Sequence, residues 1–311
     1  MAMLEIINLR AHFPTQDGLV KAVDVVDLKI EKGERLGLIG ETGCGKTVLG
    51  MAIIRLLQPN TRIHGRIIYN GRDLLDLSEE EMRLMRGGEI GMILQNPTTS
   101  LNPVLKVGDQ IAEAVQLHLG LDKKQAKAMV VKLLRSAMIP EASKRAEQYP
   151  HELSGGMKER IMIAMGLASQ PSFVIADEPT KGLDARTKAE IVRLIRDMTS
   201  GPSMLMITHD LAAAGEICDR IAVMYAGELL EDASADAILS DPQHPYTQGF
   251  IRSLPSRGLL PIPGSSPSLI DPPQGCRFHP RCPKAMDICK REHPQMTKLE
   301  KGHFARCFLC A

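Results

Sequence analysis

One short stretch carries the residues with the clearest chemistry. Residues 36–47 read Leu-Gly-Leu-Ile-Gly-Glu-Thr-Gly-Cys-Gly-Lys-Thr, so an apolar run ends at Gly40 and Gly45-Lys46-Thr47 open a second apolar segment. Glycines at this spacing let the backbone wrap around a phosphate chain, with N–H groups and a helix N-terminus directed at the anion. Lys46 would reach the outer phosphates, and the Thr47 hydroxyl would face a magnesium ion. A turn that only joins a strand to a helix requires neither the lysine nor the hydroxyl. The stretch therefore predicts a nucleotide-binding P-loop.

Further polar residues follow apolar runs elsewhere in the chain. Asp177 can hold the water shell of Mg²⁺, and Glu178 beside it can polarise an attacking water. The Gln95 amide can reach both metal and water, and His209 can contact a γ-phosphate. Ser154-Gly155-Gly156, before a helical pattern, offers a second anion-binding N-terminus. Each alone has an ordinary structural explanation, but their joint occurrence in this order favours nucleotide hydrolysis.

The elements that must position these residues alternate between strand and helix. Residues 4–13 and 22–30 predict two antiparallel strands joined by a turn at 16–18. Strands and helices then alternate from about residue 35 to 225, which predicts an α/β fold with a parallel sheet. Helical spacing over 107–138 predicts a helical insertion at 96–155 between two sheet strands.

A change of composition near residue 235 predicts a domain boundary. Residues 222–230 predict a closing hairpin, and prolines interrupt the chain beyond it. We therefore expect one domain over residues 1–235 and a small, loop-rich extension over 236–311.

Bulk composition limits the class of protein. The chain has 311 residues, and 44% of them are hydrophobic. It has 38 basic and 37 acidic residues, so its net charge is +1 and there is no overall positive charge that would favour binding of nucleic acid. No apolar run has the length of a membrane span, and the N-terminus lacks a secretory signal pattern. We therefore expect a cytoplasmic protein. Because the cytoplasm is reducing, we do not expect its seven cysteines to form structural disulfides.

The motifs together resemble the ATP-binding subunit of an ABC transporter, a P-loop NTPase cassette with a mixed sheet core, an antiparallel β subdomain and a helical insertion. The resemblance covers residues 1 to about 235. Gly40, Glu41, Thr42, Gly43, Cys44, Gly45, Lys46 and Thr47 match the Walker A motif, with Cys44 where Ser is frequent. Residues 173–177 with Glu178 match Walker B and the catalytic glutamate, and Gln95 matches the Q-loop.

Three further segments extend this resemblance. Residues 153–157 match the signature motif, although Met157 stands where Gln is commonest. Gly182-Leu183-Asp184 match the D-loop, and His209 matches the switch histidine. Phe13 takes the place of the adenine-stacking aromatic residue, although a single phenylalanine at a strand end is more often part of a core.

The resemblance implies a mechanism and a partner. ATP would lie between the P-loop of one cassette and the signature segment of a second ATPase subunit, in a homodimer or a heterodimer. Glu178, His209, Lys46 and Gln95 would catalyse hydrolysis. Thr47, Gln95 and Asp177 would hold Mg²⁺, and Asp184 would contribute to the nucleotide site.

The extension resembles the C-terminal region of ATPase subunits from oligopeptide, dipeptide and nickel importers, through residues 244–248 and 275–283. Some members of that group hold a [4Fe-4S] cluster, which here would be bound by Cys276, Cys282, Cys289 and Cys307. A Zn²⁺ ion is the alternative metal, and Cys310 is an alternative fourth ligand. His279 and His303 are minor competitors as ligands, and buried free thiols are the alternative to any metal.

The expected function is therefore that of an ATP-hydrolysing motor for import of peptides or nickel. Such a subunit would lie at the cytoplasmic face of the membrane, on two transmembrane permease subunits, and act indirectly with a solute-binding protein. A soluble cassette ATPase acting on nucleic acid or the ribosome is the alternative, but the single cassette and neutral charge disfavour it. A P-loop kinase or GTPase is a further alternative. It is disfavoured because Ser154-Gly155-Gly156 would have no role in such an enzyme.

Overall fold

The structure is a computed structural model that describes residues 2–254 and 257–310, so Met1, Pro255, Ser256 and Ala311 lie outside the described residues. In chain order the elements are β1 (Ala2–Thr15), β2 (Gly18–Glu31), β3 (Arg35–Ile39), α1 (Lys46–Ile53), β4 (Arg62–Tyr69), β5 (Arg72–Asp73), α2 (Glu79–Gly88), β6 (Ile90–Ile93), α3 (Pro97–Ser100), α4 (Val107–Leu119), α5 (Lys123–Ser136), α6 (Ala142–Ala146), α7 (Gly155–Gly166), β7 (Phe173–Asp177), α8 (Ala185–Met198), β8 (Ser203–Thr208), α9 (Leu211–Ile217), β9 (Arg220–Tyr225), β10 (Glu228–Ser234), α10 (Ala235–Ser240), α11 (Pro245–Arg252), α12 (Asp287–Arg291), β11 (Thr297–Lys298) and β12 (Phe304–Ala305).

These elements belong to two compact units. The first contains the chain up to Asp76 together with the chain from Ile207 onward, and the second runs from Leu77 to Met206. No helix within the described ranges is both long and apolar enough to cross a lipid bilayer. The predicted boundary near residue 235 falls inside the first unit and stays a prediction.

An antiparallel sheet opens the first unit. Its strand order is β2-β1-β4-β5, and β1 and β2 run antiparallel from Ala2↔Glu31 to Thr15↔Gly18. Leu4, Ile6 and Leu9 on β1 are buried, as expected for a sheet with one covered face. The predicted N-terminal pair of strands is thus confirmed, and its turn lies at residues 16 and 17.

A mixed sheet forms the other part of the first unit. Strand β3 pairs in parallel with β9, and β9 pairs antiparallel with β10 to form the predicted hairpin. The C-terminal strands continue the sheet, because β12 pairs with β10 and β11 pairs with β12. The extension therefore adds strands to the sheet that contains the strand before the P-loop.

The second unit contains a parallel strand pair and the predicted helical segment. Strands β6 and β7 are parallel, with Ile93 opposite Ala176. The helical spacing over 107–138 corresponds to two helices, α4 and α5. They are separate because Gly120 ends α4 in a left-handed conformation (φ 64°) and the Asp122 side chain caps α5 by accepting the N–H groups of residues 124 and 125.

The C-terminal extension packs against β9 and β10 through one hydrophobic cluster. Tyr225 of β9 lies among Tyr246 of α11, Phe278 and the buried cysteines Cys276 and Cys289. A segment with few regular elements is therefore held in place by a core that it shares with the preceding strands.

Candidate nucleotide-binding and hydrolysis site

The loop between β3 and α1 has a backbone that only glycine accommodates. Gly40, Gly43 and Gly45 have φ values of 154°, 82° and 112°. A Cβ atom on Gly45 would lie 2.0 Å from the carbonyl oxygen of Ala22, and one on Gly40 would lie 2.1 Å from that of Met224. The sequence therefore folds here into a tight loop in contact with the neighbouring strands.

The lysine of this loop is buried and satisfied by the loop itself. Nζ of Lys46 donates to the carbonyl oxygens of Gly40 and Glu41 at 2.8 and 3.0 Å. Thr47 is exposed in the first turn of α1, and Gly45, the N-cap residue, has no side chain that could cap the helix. The helix N-terminus and an ammonium group thus lie within one loop, an arrangement suited to phosphate.

Residues far away in sequence also hold the loop. The N–H of Gly227 donates to the Cys44 carbonyl at 2.9 Å. Glu41 is bound by Tyr246 and Arg281, which both belong to the C-terminal extension. Arg281 lies in the segment 275–283 that carries the family resemblance, but sequence reasoning assigned no role to its side chain.

Three predicted residues lie at one edge of the second unit. Because β6 and β7 are parallel neighbours, their carboxyl ends lie at the same edge of the sheet. Gln95 follows β6, Asp177 ends β7, and Glu178 is the next residue. Both carboxylate side chains are buried. Glu178 has a positive φ of 47°, an uncommon conformation for a residue with a side chain and one that is frequent at functional sites.

The predicted signature segment forms an exposed helix start. Ser154 is the N-cap of α7, and its hydroxyl accepts the N–H of Met157 at 3.4 Å. A Cβ atom on Gly155 would meet nothing within 4 Å, so the approach to this helix end is open. Asp184 caps α8 in the same way, and hydrogen bonds from Thr187 lower the pKa of its carboxyl.

Two predicted nucleotide contacts lie at strand ends. Phe13 lies in β1 opposite Val20 and is partly buried. His209 directly follows β8 and is exposed. Their predicted roles in adenine stacking and γ-phosphate contact stay predictions.

Four cysteines of the extension line one small cavity, here called the thiol cavity. It is also lined by His244 and Phe278, and the cysteines are Cys276, Cys282, Cys289 and Cys307. Among the described residues, no group of three or more His, Cys, Asp or Glu side chains is placed to hold a metal ion. The four thiols therefore share a cavity without forming the compact set that a single ion needs.

The other candidate ligands of the extension are engaged differently. The Cys310 thiol lies 3.8 Å from the Gln243 carbonyl oxygen, and Nε2 of His303 lies 2.6 Å from the buried Glu231 carboxylate. His279 does line the cavity, with Nδ1 2.9 Å from the Cys276 carbonyl oxygen. Of the two alternative fourth cysteines, Cys307 is the one that lines the thiol cavity.

Burial favours the neutral forms of the side chains that line the thiol cavity. Burial raises the pKa of Cys276 to about 11 and also raises the pKa values of Cys282 and Cys307, so a bound cation would be needed to stabilise thiolates. Burial lowers the pKa of His244 to about 3. Because Nδ1 of His244 accepts the Tyr246 N–H, Nε2 carries the proton.

Comparison with protein families accounts for both parts of the chain. Residues 23–181 match the family described as "ABC transporter", and residues 230–289 match "Oligopeptide/dipeptide transporter, C-terminal region". The chain belongs to the ABC transporter ATPase family. The predicted family is thereby confirmed, including the subgroup indicated by the C-terminal extension.

Relatives of this ABC ATPase are similar over nearly their whole length. It is 43% identical to the "Probable peptide ABC transporter ATP-binding protein y4tR" of Sinorhizobium fredii, over 98% of this chain and 94% of the relative. It is 42% identical to the oligopeptide transport ATP-binding protein OppD of Salmonella typhimurium, over 98% and 93%. The dipeptide transport ATP-binding protein DppD of Bacillus subtilis is also 42% identical, over 99% and 94%.

Solved structures confirm the cassette fold. The ABC ATPase superposes on the dimeric ATP-binding cassette MJ0796, solved in a post-hydrolysis state with ADP and Pi, with a TM-score of 0.68 and 25% identity over 75% of this chain and 99% of that one. It also superposes on cbiO1 of Clostridium perfringens, part of an ABC transporter complex, with a TM-score of 0.65 and 26% identity over 77% and 91%. The predicted α/β P-loop cassette is therefore correct.

Proposed function

We propose that the chain is the ATP-hydrolysing motor subunit of a peptide importer. The observation that carries the proposal is a tight, glycine-dependent P-loop in a chain whose C-terminal segment matches the oligopeptide/dipeptide transporter family. The names of the relatives specify peptides, which favours peptides over nickel as the transported substrate.

Residues of the first unit bind the nucleotide in this proposal. The N–H groups of residues 40–47 and the start of α1 surround the phosphates, and Lys46 moves from the loop carbonyls to the outer phosphates. The ring of Phe13 stacks on adenine, and His209 contacts the γ-phosphate. The loop supplies positive charge where negative charge develops during phosphoryl transfer.

Residues of the second unit prepare the attacking water. Glu178 accepts its proton, and Gln95 orients it. Thr47, Gln95 and Asp177 would hold Mg²⁺, which supplies charge neutralisation when bound. One carboxylate among these ligands suits Mg²⁺, since proteins usually hold it through one or two carboxylates plus substrate phosphates.

The exposed α7 start supports a cassette dimer. Ser154, Gly155 and Gly156 belong to the second unit, and they would bind the γ-phosphate held by the P-loop of a partner, with Asp184 nearby at that interface. The partner is a second ATPase subunit, identical or related. The dimer would sit on two permease subunits at the cytoplasmic face of the membrane, with a solute-binding protein acting indirectly and without nucleic acid.

An uptake assay tests the import proposal. Cells that lack this chain should lose uptake of a labelled dipeptide or oligopeptide to background, and the wild-type chain should restore it. Lys46→Ala should not restore uptake, because the phosphates lose their cation, whereas Lys123→Ala, at an exposed lysine of α5, should. Loss of radioactive nickel uptake alone would make nickel the substrate. Unchanged uptake of both would contradict import.

We also propose a metal centre in the thiol cavity, held by Cys276, Cys282, Cys289 and Cys307. The four thiols line one cavity, and four Cys thiolates are the usual ligand set of a [4Fe-4S] cluster. The spacing of these four cysteines lacks the paired Cys-x-x-Cys pattern that is usual for Zn²⁺, which is the alternative metal. His244 lies in the cavity wall with its ring proton on Nε2, which suits a hydrogen bond to a cluster sulfur.

Metal analysis tests this centre. Anaerobically purified protein should contain iron and acid-labile sulfide in equal amounts and absorb in the visible range. Cys276→Ser should lose this absorption, because a thiolate ligand is removed. Cys218→Ser should keep it, since Cys218 lies beside Gly37 and outside the cavity. Zinc in place of iron would support the alternative metal, and a folded, metal-free extension would contradict the assignment.

A further inference from the structure

One residue of the P-loop is held at three points. The Glu41 carboxylate accepts two hydrogen bonds from Arg281, from Nη1 to Oε2 at 2.9 Å and from Nη2 to Oε1 at 3.1 Å. The Glu41 N–H donates to the hydroxyl of Tyr246 at 3.0 Å, and its carbonyl oxygen accepts from Nζ of Lys46 at 3.0 Å. Glu41 thus connects the extension directly to the phosphate-binding lysine.

The arginine is fixed independently of Glu41. Its side chain is buried, its Nε donates to the Pro263 carbonyl at 3.0 Å, and its guanidinium carbon lies 5.7 Å from the centre of the Tyr225 ring. Two parallel hydrogen bonds from a planar guanidinium determine the orientation of the carboxylate as well as its position. Glu41 is therefore placed by a group that cannot easily rotate or retract.

The tyrosine is equally restrained. Tyr246 is fully buried, and its ring centre lies 4.6 Å from that of Tyr225 and 5.4 Å from that of Phe278. Burial raises the pKa of its hydroxyl, so the group stays neutral. Its oxygen therefore accepts the Glu41 N–H from a fixed position.

We propose that Arg281 and Tyr246 are positioning residues for nucleotide binding, a role that deepens the proposed ATPase function and rests on it. Lys46 is held by the carbonyls of Gly40 and Glu41 and must leave them to reach the phosphates. Because the extension holds Glu41 by its carboxylate and its N–H, the loop keeps its shape when the lysine departs. The C-terminal extension thereby becomes part of the ATP site.

Nucleotide affinity of the full-length chain tests the proposal. Arg281→Gln should raise the Kd and KM for ATP by about 10-fold and change kcat less than about twofold, because ground-state and transition-state binding weaken equally. Arg281→Lys should have a smaller effect, since one ammonium keeps the charge but not both bonds. Glu41→Gln combined with Arg281→Gln should weaken binding no more than either single change, as expected for residues that act through one contact.

A second arginine of the extension provides the matched control. Arg306 is partly buried, and it donates to the carbonyls of Leu229 and Pro294, outside the P-loop. Arg306→Gln should lower the melting temperature without changing the KM for ATP. If Arg281→Gln has the same signature, lower stability with unchanged KM, its ion pair only anchors the extension and the proposal is wrong.

A milder variant keeps the proposal testable if Arg281→Gln does not fold. Tyr246→Phe retains the ring packing and removes only the hydroxyl, so we expect a rise in Kd of about threefold, the size of a modest lost hydrogen bond. An unchanged Kd would overturn the role of Tyr246. Wild-type protein that bound no ATP would instead refute the proposed function, so the two failures are distinguishable.

Discussion

Glu178→Gln is expected to lower steady-state ATP hydrolysis by at least about 100-fold while ATP affinity stays unchanged. A positioned general base contributes roughly 10²- to 10⁴-fold, and glutamine cannot accept the proton of the attacking water. The amide has nearly the size of the carboxylate, so the buried site and its backbone are preserved. Phosphate release should be compared with nucleotide binding in the same preparation.

The structural basis of this expectation is the position of Glu178. It directly follows β7, its side chain is only 8% exposed, and its φ of 47° shows a backbone held in an uncommon conformation. A matched control is Glu147→Gln, an exposed glutamate paired with Lys106, which should hydrolyse ATP at the wild-type rate. Retained hydrolysis in Glu178→Gln would remove Glu178 from the role of base.

Phe278→Ala is expected to reduce the free energy of unfolding by about 3–5 kcal/mol, the usual cost of truncating a buried phenylalanine. Phe278 is 1% exposed, and its ring centre lies 5.4 Å from those of both Tyr225 and Tyr246. Its removal leaves a void beside the aromatic rings that join the extension to β9. Denaturant unfolding followed by tyrosine fluorescence would measure the loss.

The control for this variant is a large apolar residue of the same segment that is exposed. Leu309 is 46% exposed, and Leu309→Ala should change the free energy of unfolding by less than about 0.5 kcal/mol. A similarly small change for Phe278→Ala would mean that the aromatic cluster does not hold the extension on the sheet.

Local signals predicted most of the fold. The hairpin of β9 and β10, the strand that ends at Asp177 and the P-loop could be read from the sequence, because alternation, apolar runs and glycine spacing act over a few residues. The division of residues 107–138 into two helices depended on Gly120 and Asp122, whose effect on the helix ends is also local.

Contacts between distant residues could not be predicted. Glu41 and Arg281 are 240 positions apart, and a salt bridge between them leaves no periodic pattern. Arg277 and Arg281 lie in a polar, proline-rich segment, where arginines are ordinarily exposed, yet both are buried by ion pairs. Sequence reasoning singled out the cysteines before and after these two arginines, because thiol spacing is a recognisable signal.

The salt bridge between Arg281 and Glu41 limits how this protein could be recombined with other ATPases. The Arg281 guanidinium of the extension is buried next to position 41. In a cassette with an apolar residue at position 41, this charge would be left without a partner, which would cost several kcal/mol of folding free energy. A chimera that grafts this extension onto another nucleotide-binding domain would therefore need the acidic partner to be transplanted with it.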